Sequence, residues 1–128
     1  MVITIVQIPR STAKPDKATS IAGASKSAPQ YRHVKGLLRK DFLNGEDGGG
    51  GVYLWESREA AEAWFNDDWW GWIEERFGAR PTLTYFDHYL TVDNMIGEIR
   101  VDSRSRSPTK PPNRGGKFRD ACCYQADV

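Results

Sequence analysis

The sequence predicts an α+β fold in which two helices cover one face of an antiparallel four-stranded sheet. Strand-like and helix-like stretches follow one another in the order βαββαβ, which is typical of the ferredoxin-like arrangement. The 128 residues suffice for one domain with a tail, and five each of Trp, Tyr and Phe can fill its core.

The first strand and the first helix are marked by a change from β-branched to Ala-rich sequence. Residues 2–8 read VITIVQI, a run that predicts a strand buried on both faces. Thr12 is a candidate N-cap, and Pro15 is tolerated only in a first helical turn, so we expect a helix over residues 12–28. Pro29 ends this helix.

A hairpin follows, with strands predicted over residues 34–43 and 52–56. Between them, residues 44–51 read NGEDGGGG, a cluster of turn residues. A Gly-rich loop binds phosphate when it follows a strand and opens a helix, whereas these glycines precede a strand. The sequence therefore predicts a flexible hairpin loop and no phosphate site.

The second helical region is predicted to have two parts. Ser57 caps the first part. Residues 66–68, Asn-Asp-Asp, interrupt the apolar pattern and cap a second part over residues 69–77, which Gly78 ends. A last strand is expected over residues 82–92, where β-branched and aromatic residues predominate. Two helices can cover only one face of a four-stranded sheet. Because the other face is left uncovered, we expect a homodimer with its sheets face to face.

Composition separates a domain over residues 1–94 from a polar, Pro- and Gly-rich tail over residues 95–128, which we expect to be flexible. The domain carries 11 Lys and Arg against 13 Asp and Glu, so nucleic acid is not an expected partner. No stretch has membrane-spanning length, and the N-terminus lacks the features of a signal peptide. We therefore expect a cytoplasmic protein without membrane contact.

The only two cysteines, Cys122 and Cys123, are adjacent in the tail. Their spacing fits neither a zinc site nor an unstrained disulfide, which indicates two thiols in a reducing compartment. Two histidines without a carboxylate at ligand spacing predict no metal site either.

A cluster of Trp side chains marks the second helical region, at Trp64, Trp69, Trp70 and Trp72. Because a helix turns by about 100° per residue, Trp69 and Trp72 share a face while Trp70 points away. One interpretation is that these indoles pack the helix and the dimer. The other is that one or two of them, Trp69 and Trp64 first, line a flat cavity for an aromatic ligand.

Polar side chains near this cluster supply candidate chemistry. His88 and His33 are the candidate catalytic residues, since an imidazole can remove a phenolic proton, and a structural role is the alternative for each. Candidate substrate-binding groups are the hydroxyls of three tyrosines and the amide of one glutamine in an apolar strand, namely Tyr31, Tyr53, Tyr85 and Gln7.

Several segments between residues 31 and 94 also match a known family, in order and at sensible spacings. They are Tyr31, Gly36–Lys40, Gly50–Ser57, Ala60–Ala63, Trp69, Phe77–Pro81, Tyr85–Asp87 and Val92–Asn94. In these segments the chain resembles the YdhR-like mono-oxygenase family of the dimeric α/β-barrel superfamily, which also contains the antibiotic-biosynthesis mono-oxygenases. The resemblance implies a dimeric barrel with a pocket between helices and sheet, and Trp69 is the best-matching residue of its wall.

The same resemblance implies an activity: oxidation of a small aromatic or phenolic compound without metal, flavin or any other cofactor. One fold supports many reactions, so two alternatives stay open. The chain could be a lyase or isomerase of the same superfamily, or a small-ligand-binding protein without catalytic activity.

Overall fold

A computed structural model of the chain describes residues 1–102. The helices and strands, which we number in chain order, are β1 (Val2–Pro9), α1 (Lys17–Ser27), a 3-10 helix (Ala28–His33), β2 (Leu37–Asn44), β3 (Gly48–Trp55), α2 (Arg58–Trp64), α3 (Asp67–Phe77), β4 (Thr82–Asp87), β5 (Leu90–Asp93) and β6 (Glu98–Val101).

The main sheet has the strand order β2-β3-β1-β4, and all of its pairs are antiparallel. The α+β class and the four-stranded antiparallel sheet predicted from the sequence are therefore confirmed. This strand order, together with helices after β1 and β3, is compatible with the ferredoxin-like arrangement. None of the helices formed by residues 1–102 is long and apolar enough to cross a membrane.

The helix boundaries follow from their caps. Ser57 and Asn66 accept hydrogen bonds from the backbone of Ala60 and Trp69, and Gly78 takes a left-handed conformation after α3, as the sequence predicts. The start predicted for α1 near Thr12 is wrong. The carboxylate of Asp16 caps α1 through the Thr19 amide at 2.8 Å, so Pro15 precedes the helix.

The glycine run departs most from the sequence prediction. Gly48–Gly51 belong to β3 and pair with β1 on one side, while Gly49–Gly51 also pair with β2 on the other. Residues 48–51 are therefore strand, and the predicted flexible loop is wrong for them. A Cβ atom would lie 2.2 Å from the Ile8 carbonyl oxygen at Gly48 and 1.8 Å from that of Val6 at Gly50. The close approach of the two backbones requires residues without side chains.

The last predicted strand is divided in two. β4 ends at Asp87, and after His88 and Tyr89 the chain forms β5, which pairs with β6 in a separate two-stranded sheet. Strand structure thus continues beyond residue 94, where the sequence predicts the end of the domain. The rest of the predicted tail, including Cys122 and Cys123, lies outside the described residues.

The helix-covered face of the sheet holds the core. Its buried apolar side chains are Val2, Val6, Tyr53, Trp55, Ala61, Phe65, Trp69 and Ile73. Thr4 is also fully buried, and its hydroxyl accepts a hydrogen bond from the Trp55 indole at 2.9 Å. On the opposite face, Ile3 and Ile5 are only half-buried, so within one chain β1 is not buried on both faces as the sequence predicts.

Candidate functional site

A cavity of about 900 Å³ lies between the sheet and the helices α1 and α3. Its volume falls in the range that small-molecule sites occupy. The aromatic side chains that line it come from the 3-10 helix, β2, β3 and α3, and they are Tyr31, Phe42, Tyr53, Trp69, Trp72 and Phe77. The cavity lies where the sequence places the pocket, between helices and sheet.

The floor of the cavity is the glycine segment of β3. Gly49, Gly50 and Gly51 line it, and because they carry no side chains the space above the sheet stays open. A Cβ atom on Gly51 would come within 2.9 Å of the Cε atom of Lys40. The glycines therefore have two consequences, a close approach of β1 to β3 and an open volume for a ligand.

Trp69 forms part of the wall and also belongs to the core. Its side chain is 6% exposed and packs edge-on against Phe65 and Trp70, with ring centroids 4.7 and 5.2 Å apart. Its indole N–H is buried and has no acceptor within hydrogen-bond distance in residues 1–102. A buried donor without a partner is costly.

Lys40 extends from β2 into a group of aromatic rings. Its Nζ lies 3.6 Å from the ring centroid of Tyr31, 4.0 Å from that of Phe42 and 4.8 Å from that of Tyr53. Burial lowers the pKa of Lys40 to about 7, against the attraction of the rings, which favours the ammonium. Burial also raises the pKa of the Tyr31 and Tyr53 hydroxyls, which keeps both of them protonated donors.

Charge in the cavity has one sign. Arg10, Lys40 and Arg76 line it, whereas none of the lining residues in the described part of the chain is Asp or Glu. The guanidinium of Arg76 lies 5.4 and 5.5 Å from the ring centroids of Trp72 and Phe77. The Arg10 Nε is buried without an acceptor among the described residues, although its terminal nitrogen donates to the Gly45 carbonyl at 2.5 Å. The cavity thus offers hydrogen-bond donors and positive charge.

Three of the substrate-binding residues predicted from the sequence, Tyr31, Tyr53 and Trp69, line the cavity together. The others lie outside it. Trp64 packs against Tyr31 with ring centroids 5.7 Å apart, and Tyr85 lies under the Arg58 guanidinium at 4.4 Å. Gln7 is exposed, and its register opposite Thr82 and Gly50 places it on the face of the sheet away from the helices.

Neither histidine lines the cavity. His88 lies between β4 and β5, where its Nε2 is 2.8 Å from the Thr91 hydroxyl and its backbone N–H donates to the Met1 carbonyl. Burial lowers the pKa of His88. His33 is exposed at the end of the 3-10 helix. Neither of the predicted catalytic residues therefore contributes a side chain to the cavity.

Lys40, Arg76 and the glycine floor are the site features that the sequence reasoning missed. A signal for Lys40 was present, because strand periodicity puts it on the same face as Phe42. Arg76 follows Trp69 by seven residues, which puts both on one face of α3.

Comparisons with known proteins assign no family to the chain. No protein-family model matches the chain, and a search of curated proteins finds no match. Within residues 1–102, no three His, Cys, Asp or Glu side chains come together as a group that could hold a metal ion. The site therefore has to be interpreted from its own residues.

Proposed function

We propose that this protein is a mono-oxygenase-like enzyme that oxidises a small phenolic compound in the cavity, without a cofactor. The observation that carries the proposal is an aromatic-walled cavity that contains a lysine amine without a carboxylate partner in the described residues. The resemblance of residues 31–94 to the YdhR-like mono-oxygenase family supports the same activity.

Lys40 is the proposed base in place of the histidines. With a pKa of about 7, a large share of the amine is neutral near neutral pH and can accept the proton of a phenol. The ammonium that forms stays next to the phenolate, so opposite charges are paired in a poorly solvated place. The indole N–H of Trp69 and the hydroxyls of Tyr31 and Tyr53 are donors suited to the phenolate oxygen.

The reaction needs only molecular oxygen as co-reactant. The electron-rich phenolate gives electrons to O₂, and one oxygen atom becomes a new carbonyl oxygen on the ring. The other oxygen leaves as water with two hydrogens, one from the phenolic O–H and one from the ring C–H. A phenol and one O₂ thus give a quinone and one water, and the proton that Lys40 accepts returns to that water.

The test is oxygen uptake and quinone absorbance with 1-naphthol, using chelator-treated and flavin-free protein. We expect turnover in the wild type, and a loss of most of it in Lys40→Met, which keeps the length of the side chain. Lys35→Met is the matched control, since Lys35 is exposed and does not line the cavity. Equal turnover in Lys40→Met, or turnover that disappears with metal removal, would contradict the proposal.

A non-catalytic small-ligand-binding protein is the second candidate. The observation that favours it is that the described lining residues include neither a histidine nor a carboxylate, the commonest acid–base groups of enzymes. Saturable binding of 1-naphthol without oxygen uptake would identify this second function.

We also propose that the active form is a homodimer that buries the face of the sheet opposite the helices. The half-buried apolar side chains on this face are Ile3, Ile5, Val52, Leu54 and Phe86. The β5–β6 hairpin adds exposed apolar residues, among them Val92 and Ile99 at 62% and 71% exposure. Light scattering should give the mass of two chains, and Val52→Lys should shift it to one chain with the cavity still able to bind ligand.

A further inference from the structure

Among the cations of residues 1–102 that form no ion pair, Lys17, Lys26, Arg32 and Lys35 are exposed outside the cavity, and Arg10, Lys40 and Arg76 line it. Arg39, Arg58, Arg80 and Arg100 each form an ion pair with a carboxylate, and none of these four lines the cavity. Lys40 and Arg76 do line it, and no carboxylate of residues 1–102 lies within ion-pair distance of either.

We propose that the cavity selects aromatic acids, that Arg76 binds the carboxylate of such a ligand, and that the protonated form of Lys40 adds to the attraction. The neutral form of Lys40 remains the proposed base. This inference rests on the proposed function and narrows its substrate class from phenols in general to phenols and related ring compounds that carry an acid group. It assigns Arg76 a role in specificity.

Both charges act at the same end of the cavity. Lys40 lies over the Tyr31 ring. Burial raises the pKa of the Tyr31 hydroxyl, and the positive charge of Arg76 makes a small contribution in the opposite direction. The Arg76 guanidinium also lies near the Trp72 and Phe77 rings, which orient a planar group by stacking. A carboxylate placed beside Tyr31 would therefore meet an ammonium, a guanidinium and a hydroxyl.

The donors around the cavity also lack acceptors. The Trp69 Nε1 and the Arg10 Nε are both buried without a hydrogen-bond partner in the described part of the chain. Buried donors destabilise a protein unless an acceptor satisfies them, and residues 1–102 supply no acceptor for these two. An anion with acceptor oxygens would satisfy these groups, whereas an ammonium ligand would add like charge.

The aromatic walls determine the remainder of the ligand. Tyr31, Phe42 and Tyr53 stand on one side and Trp69 and Trp72 on α3, so the cavity favours flat apolar rings. A volume of about 900 Å³ accommodates a fused-ring acid above the glycine floor.

Three probes of nearly the same shape test the charge preference directly by calorimetric titration of the wild-type protein. They are 1-naphthoate, the neutral 1-naphthamide and the cationic 1-naphthylmethylammonium. We expect naphthoate to bind at least about tenfold more tightly than the amide, and the ammonium compound to bind more weakly than the amide. This comparison needs no variant, so it does not depend on whether a variant folds.

Two variants then test which residues cause the preference for the acid. Arg76→Gln and Lys40→Met should each reduce naphthoate affinity by about tenfold and change naphthamide affinity little. Arg80→Gln is the matched control, because Arg80 lies over the Trp70 ring at 4.4 Å but outside the cavity. An equal loss in Arg80→Gln would show that general surface charge attracts the acid, and it would overturn the assignment.

The outcomes separate this inference from the proposed function. Naphthamide that binds as tightly as naphthoate, together with turnover of 1-naphthol, overturns the acid preference and leaves the oxidation standing. Tight, charge-selective binding of naphthoate without oxygen uptake supports the acid preference and removes the oxidation. The absence of binding by all three probes overturns the acid preference, and the absence of 1-naphthol turnover as well overturns both.

Discussion

The two ends of the helix-covered face of the sheet are built on the same strands, yet one is closely packed and the other is open. At the packed end, β1 and β3 contribute Thr4 and Trp55, both 0% exposed, against Ala61 of α2. At the open end the same two strands continue, but residues 48–51 of β3 are all glycine and the space above them is part of the cavity.

The difference shows how one strand can serve stability and function in separate stretches. Tyr53 and Trp55 bring large side chains that fix the position of the sheet under α2 and α3. Gly48–Gly51 bring none, so the fold cannot depend on packing there, and a ligand can occupy the volume. Damage to the packed end should therefore reduce stability, whereas filling the open end should reduce binding.

The largest effect is expected from Trp55→Ala at the packed end. The indole stacks on Tyr53 with ring centroids 5.8 Å apart and donates to the Thr4 hydroxyl, so its removal leaves a cavity and a buried acceptor. Loss of a buried Trp costs about 3–5 kcal/mol. Urea unfolding would measure it, and a loss below about 1 kcal/mol would mean that this end is not the main source of stability.

The next largest effect is expected at Gly50. A comparison with its neighbour Gly51 separates backbone strain from the effect of an added side chain in the cavity. Gly50→Ala should destabilise by about 3 kcal/mol, because its Cβ would collide with the Val6 backbone and its φ of 150° disfavours a side chain. Gly51→Ala meets only the flexible end of Lys40 at 2.9 Å, the Asp41 carbonyl oxygen at 3.2 Å and the Tyr53 ring at 3.3 Å.

We therefore expect Gly51→Ala to retain more stability than Gly50→Ala while it reduces the affinity for 1-naphthoate. Unfolding and calorimetry on both variants measure the two effects. Equal stability of the two would show that the backbones of β1 and β3 can separate at Gly50, against the interpretation of a fixed close approach.

The element order of the main sheet and the caps of α2 and α3 could be predicted because their signals are local. The side-chain caps at Ser57 and Asn66, and the left-handed Gly78, depend on a few neighbouring residues. The strand character of Gly48–Gly51 could not, since glycine favours turns and only pairing with β1 and β2 holds these residues extended.

The site was partly predictable for the same reason. The family resemblance identified Trp69, and helical periodicity predicted only that it shares a face with Trp72. The sequence pattern did not identify Lys40, because a charged residue in a strand is normally assigned to solvent. The burial of Lys40 depends on aromatic rings from three separate elements. His88 was assigned to a continuous strand, whereas the chain turns there into the β5–β6 hairpin.

The buried lysine of the open end should make stability depend on pH. The folded pKa of Lys40 is about 7 and its ordinary value is 10.5, so between these values the unfolded chain holds the proton more often than the folded chain does. Stability therefore rises with pH across this window, by about 2 kcal/mol from pH 7 to pH 9. The groups that face Lys40 are Tyr31 and Tyr53, whose raised pKa values leave them neutral there.

Lys40→Met removes the titrating group and should abolish this rise, so the two proteins should differ more at pH 7 than at pH 9. Lys35→Met should keep the rise of the wild type. Urea unfolding at the two pH values measures it, and parallel curves for the wild type and Lys40→Met would mean that the ring attraction keeps Lys40 charged throughout.

The smallest effect is expected at Asn66, which connects the two ends because α3 begins beside the packed core and carries the wall of the cavity. The Asn66 side-chain oxygen accepts from the Trp69 backbone N–H at 3.0 Å, so the cap fixes the start of the helix at the residue whose indole faces both regions. Asn66→Ala should cost about 1 kcal/mol of stability. Asn66→Asp should restore it, because a carboxylate is an equally good N-cap and favours the helix dipole.

The two variants also separate the position of Trp69 from its mere presence. If the cap positions the indole for the ligand, Asn66→Ala should weaken 1-naphthoate binding a few-fold, because the first turn of α3 is then less ordered. Asn66→Asp should bind 1-naphthoate as tightly as the wild type does. Full affinity in Asn66→Ala, with the loss of stability still measured, would show that core packing against Phe65 alone holds Trp69 in place. The packed end would then determine the geometry of the open end as well. The two regions would share one rigid backbone and differ only in the side chains they carry.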